Sequence, residues 1–229
     1  MTAQPLLQFD NVTVRRGGKP ILQELSFSLF PGEKVALTGP SGAGKSSVLY
    51  LLLGFLQPAD GTIYFKGEPY CASIVQRIRS TTATVLQEPV AGGATVRESL
   101  LFPFSYKHNR SDLPDEHTIS STLESLGLST AMLKHPVAEI SGGEKQRIAL
   151  ARALLLRRDI LLFDEITSAL DDVAKSNVYE LLNRQQYTVL SVTHDPGWIT
   201  RCDRVIRLES GRAAGTSVHT NAEAAHDNH

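Results

Sequence analysis

The sequence predicts an α/β fold, in which a core of buried parallel strands and helices carries an antiparallel β subdomain and an inserted helical subdomain. Residues 35–55 read as an apolar strand, a glycine-rich loop and an apolar helix. Residues 160–163 and 189–193 form two further apolar runs, separated by a helical pattern near residues 172–184. Near the N-terminus, apolar and polar residues alternate, which is typical of antiparallel strands with one exposed face.

The predicted antiparallel subdomain begins the chain. Residues 6–14 and 21–30 alternate in polarity on either side of Gly17 and Gly18, which provide a turn. Residues 62–66 form a further short strand that ends at Gly67. We therefore expect a β-rich flap beside the parallel core.

The loop of residues 39–46 fits the phosphate-binding pattern G-x-x-x-x-G-K-S/T. Its three glycines allow a tight turn with inward-facing N–H groups, and the helix that starts near Lys45 adds its positive end to the same anion cradle. The Lys45 ammonium can reach the β- and γ-phosphates, and the Ser46 hydroxyl can bind the Mg²⁺ that bridges them. The sequence therefore predicts a P-loop NTPase core with a nucleoside triphosphate site.

The helical subdomain is expected over residues 88–145. Helical segments at 96–102 and 118–126 alternate there with loops that contain proline, and the next helix is predicted at 143–156. The core is then expected to comprise residues 1–87 and 146–209, all within one domain. Residues 210–229 are small and polar and are predicted to form a mobile tail, with His219, His226 and His229 solvated rather than bound to metal.

Polar residues follow three predicted strands. Asp164 and Glu165 end the apolar run at 160–163, His194 ends the run at 189–193, and Gln87 follows a strand at 83–86. Parallel strands deliver such residues to the edge where the phosphate loop lies. Asp164 and the Gln87 amide oxygen are thus expected to support Mg²⁺, and Glu165 to orient the attacking water with His194 beside it.

One further motif opens the helix after residue 140. Ser141 is a good N-cap, Gly142 and Gly143 leave N–H groups accessible, and Glu144 stands at the capping-box position. This string resembles the signature sequence of ABC transporter ATPases. The resemblance extends over residues 6–209, because the phosphate loop, Gln87, the signature, residues 160–165, the loop at 168–171 and His194 occur in that family's order.

The resemblance implies an ATPase that works as a head-to-tail dimer of two copies and is attached to an integral membrane permease near Gln87. Each ATP would lie between one subunit's phosphate loop and the other's Ser141, Gly143 and Glu144, with Asp171 at the dimer seam. The residues then expected to bind ATP are Arg16, Gly39, Pro40, Ser41, Gly42, Ala43, Gly44, Lys45, Ser46, Ser47, Gln87, Ser141, Gly142, Gly143, Glu144 and Asp171; those expected to hold Mg²⁺ are Ser46, Gln87 and Asp164; those expected to be catalytic are Glu165, His194 and Lys45.

One position departs from the family pattern, since Arg16 stands where most relatives offer an aromatic ring to adenine. A guanidinium also stacks on a base, so ATP remains the expected ligand with looser base selectivity. More narrowly, the chain resembles the ATPases of Fet-type iron exporters. That likeness rests on the short single cassette, on residues 101–103, 139–150 and 192–195, and on Ile166 where a proline is usual.

Composition narrows the function classes. A net charge of −1 over 229 residues gives no electrostatic case for nucleic-acid binding. Cys71 and Cys202 are too far apart to suggest a zinc site or a disulfide framework. The longest apolar run, residues 48–56, is about half of what a membrane span needs, and the N-terminus lacks the features of a signal peptide. A cytosolic protein is expected, held at the cytoplasmic face of the cell (inner) membrane through the permease.

Three alternatives stay open at this point. The ATPase of an amino-acid or other small-solute importer would share every motif. A soluble ABC ATPase acting on nucleic acid or ribosomes would be expected to carry a second cassette or a long coiled-coil insertion. A non-enzymatic nucleotide switch would not need Glu165 and His194, which are both present.

Overall fold

The computed structural model describes residues 4–88, 92–184 and 186–218, and within them two β-sheets and seven α-helices form. The strands are β1 Leu7–Arg16, β2 Lys19–Leu29, β3 Lys34–Thr38, β4 Asp60–Phe65, β5 Glu68–Pro69, β6 Thr82–Val85, β7 Ile160–Asp164, β8 Thr188–Val192, β9 Arg204–Glu209 and β10 Arg212–Val218. The helices are α1 Lys45–Leu52, α2 Ala72–Thr81, α3 Val96–Leu101, α4 Glu116–Ser125, α5 Gly142–Leu155, α6 Asp172–Arg184 and α7 Pro196–Ile199. None of these helices is both long enough and apolar enough to cross a bilayer.

The first sheet is antiparallel, with the order β2-β1-β4-β5, which confirms the predicted β subdomain. Leu7 pairs with Leu29 and Arg16 with Lys19, so Gly17 and Gly18, both at positive φ, close the hairpin. The apolar residues Leu7, Phe9, Val12 and Val14 of β1 lie in the core, while Asp10 and Asn11 between them are exposed.

The second sheet has the order β10-β9-β3-β8-β7-β6. Strands β6, β7, β8, β3 and β9 are mutually parallel, and β7 and β8 are buried over their whole length, as their continuous apolar runs predict. Alternate side chains of β7 enter two different apolar clusters, Leu161 and Phe163 on one face and Ile160 and Leu162 on the other. The sheet therefore separates two cores, and the carboxyl ends of its parallel strands share one edge.

The segment between β6 and α5 is helical, as predicted. It contains α3 and α4 with short 3-10 turns at Phe102–Ser105, Arg110–Asp112, Thr130–Lys134 and Val137–Glu139. Leu100, Ile119 and Leu123 from this segment are buried in the cluster that also contains Ile148 of α5. The exact domain boundaries expected from the sequence stay a prediction.

The end of the chain differs from the expectation of a mobile tail from residue 210. Residues 212–218 form β10, which pairs antiparallel with β9 from Arg212 opposite Glu209 to Val218 opposite Arg204. Ser210 and Gly211 both have positive φ, which is the geometry of a tight hairpin turn. Because every residue of β10 is exposed, no apolar pattern marked it in the sequence. His219, His226 and His229 lie outside the described residues.

Helix α2 was also not foreseen. It buries only Ile74, Val75 and Ile78 along one face and exposes polar residues elsewhere. An apolar stripe of three residues is a weak signal of a helix in the sequence.

Candidate nucleotide site

A cavity of about 390 Å³ lies at the carboxyl edge of the parallel sheet. It unites residues from the β1–β2 hairpin, the loop after β3, and the ends of β6, β7 and β8. Its walls are formed by Arg16, Ile21, Ser41, Gly42, Gly44, Lys45, Ser46, Ser47, Gln87, Glu165 and His194. Ten of these eleven residues are predicted site residues, and Ile21 is the one that sequence reasoning missed. The one feature of the sequence that could have indicated Ile21 is its closeness to Arg16 in the hairpin.

The phosphate loop requires glycine at two positions for reasons visible in the structure. Gly39 has φ +132, and a Cβ there would lie 2.0 Å from the Leu208 carbonyl oxygen of β9. Gly44 has φ +98, and a Cβ there would lie 2.7 Å from Leu22 Cδ2 and 2.8 Å from the Ile21 oxygen. The loop is thus held between β9 and β2, which fixes its path around the cavity.

Lys45 is buried at the start of α1, and its Nζ donates hydrogen bonds to the carbonyl oxygens of Gly39 at 2.8 Å and Pro40 at 2.9 Å. The Ala43 amide donates to the Pro40 oxygen at 3.2 Å, so Pro40 and Ala43 shape the loop although neither lines the cavity. In the parts of the chain that the structure describes, no carboxylate forms an ion pair with Lys45. Its positive charge is therefore available to an anionic ligand in the cavity.

Ser46 lines the cavity, and Asp164 lies directly beside it. The Ser46 hydroxyl donates to Asp164 Oδ1 at 3.1 Å, and Asp164 is 1% exposed. Burial raises the pKa of Asp164; the charge of Glu165 adds to this, while the Ser46 hydrogen bond and Lys45 partly oppose it. A buried carboxylate whose charged form is disfavoured would be stabilised by a cation.

This donor set fits Mg²⁺ that arrives with a nucleotide. Hydroxyl and carboxylate oxygens are the hard ligands that Mg²⁺ prefers, with phosphates and waters completing its shell. Among the described residues, no group of three or more His, Cys, Asp or Glu side chains is arranged to hold a metal. The pair therefore suits a metal that brings most of its own ligands.

Glu165 is held in an uncommon conformation at the end of β7. Its φ is +55, and its amide donates to the Val192 oxygen of β8 at 2.9 Å. Its carboxylate accepts a hydrogen bond from Gln87 Nε2 at 3.0 Å, and Oε1 lies 3.8 Å from His194 Nε2. The three predicted strand-end residues thus converge on one point.

The signature residues do not line this cavity. At the start of α5, the Ser141 hydroxyl accepts from the Glu144 amide at 3.3 Å, and Glu144 Oε2 accepts from the Ser141 amide at 2.8 Å. Hydrogen bonds from Ser141 lower the pKa of Glu144. A Cβ at Gly142 or Gly143 would meet no heavy atom of the described residues within 4 Å, apart from its chain neighbours and its own helix backbone, so this helix end faces open space.

Asp171 is also apart from the cavity. Its Oδ1 accepts from the Ala174 amide at 2.8 Å, in the first turn of α6. The structure therefore brings together the phosphate loop, Gln87, Glu165, His194 and Arg16, and leaves Ser141–Glu144 and Asp171 outside.

Comparison with known proteins shows the family of the chain. A family model described as ABC transporter matches residues 22–168. The chain is 40% identical over 209 residues to the probable iron export ATP-binding protein FetA of Escherichia coli (strain K12), covering 90% of this chain and 92% of that protein. It is 33% identical over 215 residues to the energy-coupling factor transporter ATP-binding protein EcfA1 of Mycoplasma pneumoniae, covering 91% and 77%.

Solved structures share the fold. A dimeric, post-hydrolysis state of the ATP-binding cassette MJ0796 bound to ADP and Pi matches with a TM-score of 0.80 at 25% identity, covering 93% of this chain and 99% of that one. A bacterial Atm1-family ABC exporter with ATP bound matches with a TM-score of 0.83 at 28% identity, covering 96% of this chain but only 40% of the exporter chain. The chain therefore belongs to the ABC transporter family, as an ATPase subunit in which ATP hydrolysis is coupled to transport.

Proposed function

We propose that this chain binds Mg²⁺–ATP as half of a head-to-tail dimer and drives export of iron or another metal through a separate membrane permease. The observation that carries the proposal is the division of the motifs: one cavity holds the phosphate loop, Gln87, Glu165 and His194, while Ser141–Glu144 face open space elsewhere. Each subunit thus contains one complete cradle and one unused helix N-terminus.

Within the cavity, the loop N–H groups and Lys45 bind the phosphates, and the Arg16 guanidinium contacts the base. Ser46, Asp164 and Gln87 would hold the Mg²⁺. The bound ion would neutralise part of the negative charge on the phosphates. Glu165 accepts a hydrogen bond from water and orients it toward the γ-phosphate. His194, beside Glu165, is placed to stabilise charge on the reacting phosphate.

The second anion site explains why the start of α5 has two glycines. The chain's own packing does not require them, since a Cβ at either position would meet no heavy atom within 4 Å. A glycine pair at an accessible helix N-terminus lets a phosphate approach the backbone closely. In the proposed dimer, Ser141, Gly143 and Glu144 bind the γ-phosphate held by the partner's loop, with Asp171 at the seam.

A groove of about 320 Å³ supports attachment to a permease. It is lined mainly by apolar atoms, and Phe55 at its rim is 65% exposed although it is a large aromatic side chain. The groove lies between α1, β6 and α5 and includes Leu86 and Glu88, which flank Gln87. We place the permease there, at the cytoplasmic face of the membrane, so that its movement reaches Gln87 and hence Glu165.

Iron is the favoured cargo, and export is the favoured direction of transport. The reason is that FetA, described as a probable iron export ATP-binding protein, is similar over 92% of its length. The cargo would bind the permease rather than this chain. An importer ATPase is the second candidate, since EcfA1, of an energy-coupling factor transporter, is similar over 77% of its length.

The proposed dimer is tested with Glu165→Gln. This variant keeps the shape of the side chain but lacks the carboxylate that orients the attacking water, so bound ATP should not be hydrolysed. With saturating Mg²⁺–ATP we expect this variant to elute at twice its nucleotide-free mass, while Glu165→Gln with Lys45→Ala stays monomeric. A Glu165→Gln protein that remains monomeric with ATP bound would contradict the sandwich dimer.

The cargo is tested by co-expressing the chain with candidate permeases and identifying the one that carries it to the membrane fraction. Cells with that pair should lose labelled iron faster than cells with the Lys45→Ala pair. Equal iron content in both would exclude iron export, and uptake of a labelled small solute would establish the importer.

A further inference from the structure

A second cavity, of about 280 Å³, adjoins the nucleotide cavity. The two cavities share Glu165 and His194 in their walls. Lys175 and Asp195 line only the second one, so they do not belong to the nucleotide pocket. The phosphate-loop residues, in turn, line only the nucleotide cavity.

His194 has little to hold its ring in place. Its side chain is 54% exposed, and its one polar contact among the described residues is with Glu165 at 3.8 Å. This distance is too long for a hydrogen bond. The position of the imidazole therefore depends on the backbone that carries it, between β8 and α7.

Asp195 anchors that backbone through several hydrogen bonds, and its own carbonyl oxygen accepts one from the Ile199 amide at 3.0 Å. Its amide donates to the Thr193 hydroxyl at 3.1 Å, and its Oδ1 accepts from the Trp198 amide at 2.9 Å, which caps α7. Its Oδ2 accepts from Lys175 Nζ at 2.5 Å. Only the last contact reaches a different part of the chain.

Lys175 connects this segment to α6. Its amide donates to the Asp171 oxygen at 2.9 Å, so the residue lies in the first turn of the helix, directly after the predicted dimer seam. The side chains of Lys175 and Asp195 are 19% and 18% exposed, so the ion pair is largely shielded from water. Shielded, hydrogen-bonded pairs constrain geometry far more than exposed pairs do.

We infer that Lys175 is a positioning residue for hydrolysis, which holds the backbone of His194 through Asp195 and ties it to the helix that follows Asp171. The inference rests on the proposed function, because it assigns Lys175 an effect on a site taken to hydrolyse ATP. Lys175 acts on the chemical step and not on nucleotide binding, because it does not line the nucleotide cavity.

The test compares Lys175→Met, which keeps the aliphatic stem, with Lys175→Arg, which restores the charge. Arg184→Met is the matched control, since it removes an exposed ion pair with Glu180 from the same helix without touching Asp195. Misplacement of a catalytic group costs roughly 10- to 100-fold in rate. We therefore expect kcat of Lys175→Met to fall in that range while the ATP Kd stays constant, Lys175→Arg to recover most of the loss, and Arg184→Met to match the unmodified chain.

Double variants test whether Lys175 affects hydrolysis through His194. Lys175→Met should have no additional effect on kcat in a His194→Ala background, because the residue that it positions is gone. In a Glu165→Gln background, Lys175→Met should leave the ATP-dependent dimer intact. A further rate loss without His194, or loss of the dimer, would overturn the inference.

A second readout does not depend on hydrolysis. The imidazole resonance of His194, assigned by its loss in His194→Ala, should shift or broaden in nucleotide-free Lys175→Met and return in Lys175→Arg. An unchanged resonance in Lys175→Met would overturn the inference. A displaced resonance in a chain that hydrolyses no ATP would support the positioning role and contradict the proposed function instead.

Discussion

Arg16 determines what the cavity offers to a base. It is exposed, and its side chain forms no hydrogen bond or ion pair with another described residue. Among the described residues that line the cavity with it, none is aromatic, and Ile21 is the one with a large aliphatic side chain. A guanidinium stacks on the face of any base, whereas discrimination requires hydrogen bonds to the base edges. The site is thus suited to holding a nucleotide mainly by its phosphates.

Arg16→Ala should weaken the binding of ATP and GTP alike, by about two- to fivefold, because one exposed cation–π contact is lost. Arg15→Ala is the control, since Arg15 is equally exposed but does not line the cavity. Titration with fluorescent ATP and GTP analogues measures both affinities for each variant and for the unmodified chain. A loss confined to ATP would show that Arg16 reads the base edge.

At the scale of single elements, α5 and α1 use glycine for opposite reasons. Gly44, directly before α1, has φ +98 and is pressed against Leu22 and Ile21, so the fold itself demands it. Gly143, in the first turn of α5, has open space around it and no positive φ. The capping box of Ser141 and Glu144 holds α5 in place without help from the glycine.

Alanine substitution should separate these two uses. Gly143→Ala should leave the free energy of unfolding unchanged or raise it by up to about 1 kcal/mol, because alanine is the better helix former. It should nevertheless abolish the ATP-dependent dimer, because the added methyl group occupies the space meant for the partner's phosphate.

Gly44→Ala is the comparison, and it should lower stability as well as nucleotide binding, since a side chain cannot adopt its backbone conformation without strain. Urea denaturation and size-exclusion chromatography measure the two properties. A destabilised Gly143→Ala would show that this glycine serves the fold after all.

At the scale of the whole molecule, the parallel sheet lies between two apolar cores, and the nucleotide cavity opens at its edge. Cys202 lies in one of these cores, where it is 2% exposed and its thiol donates to the Trp198 oxygen at 3.4 Å. Burial raises the pKa of Cys202 to about 12, so its thiol stays protonated at neutral pH. Cys71 is exposed, and its pKa is lowered by its hydrogen bond with Ser73.

We therefore expect a thiol reagent at pH 8 to modify Cys71 quickly and Cys202 only when the core opens. In a Cys71→Ser background, ATP at 100 times its Kd should slow modification of Cys202 by about 100-fold, because the ligand binds only the closed protein. Lys45→Ala should remove this protection. Mass spectrometry follows the reaction, and protection by ATP in Lys45→Ala would contradict a role for the phosphate loop.

Local signals in the sequence were sufficient for much of the fold. The two parallel strands at the site, the hairpin and α6 follow from apolar runs, alternation and helix spacing, all of which act over a few residues. Strand β10 and helix α2 are not predicted by these signals, because the apolar stripe is absent in β10 and short in α2. The φ of Glu165 was equally invisible, because glutamate has no preference for that conformation and the contact with β8 imposes it.

By itself, then, the sequence determined the residue types of the site and the family to which they belong, since each motif is contiguous along the chain. Only the tertiary structure decided which motifs share a cavity. The strand order β3-β8-β7-β6 brings the phosphate loop, His194, Glu165 and Gln87 to one edge, and it leaves the start of α5 and Asp171 elsewhere. It also joins Lys175 to Asp195 across 20 residues, a contact that no local pattern encodes. The physical reason is that strand pairing sets distances through space, whereas periodicity and propensity act only between near neighbours along the chain.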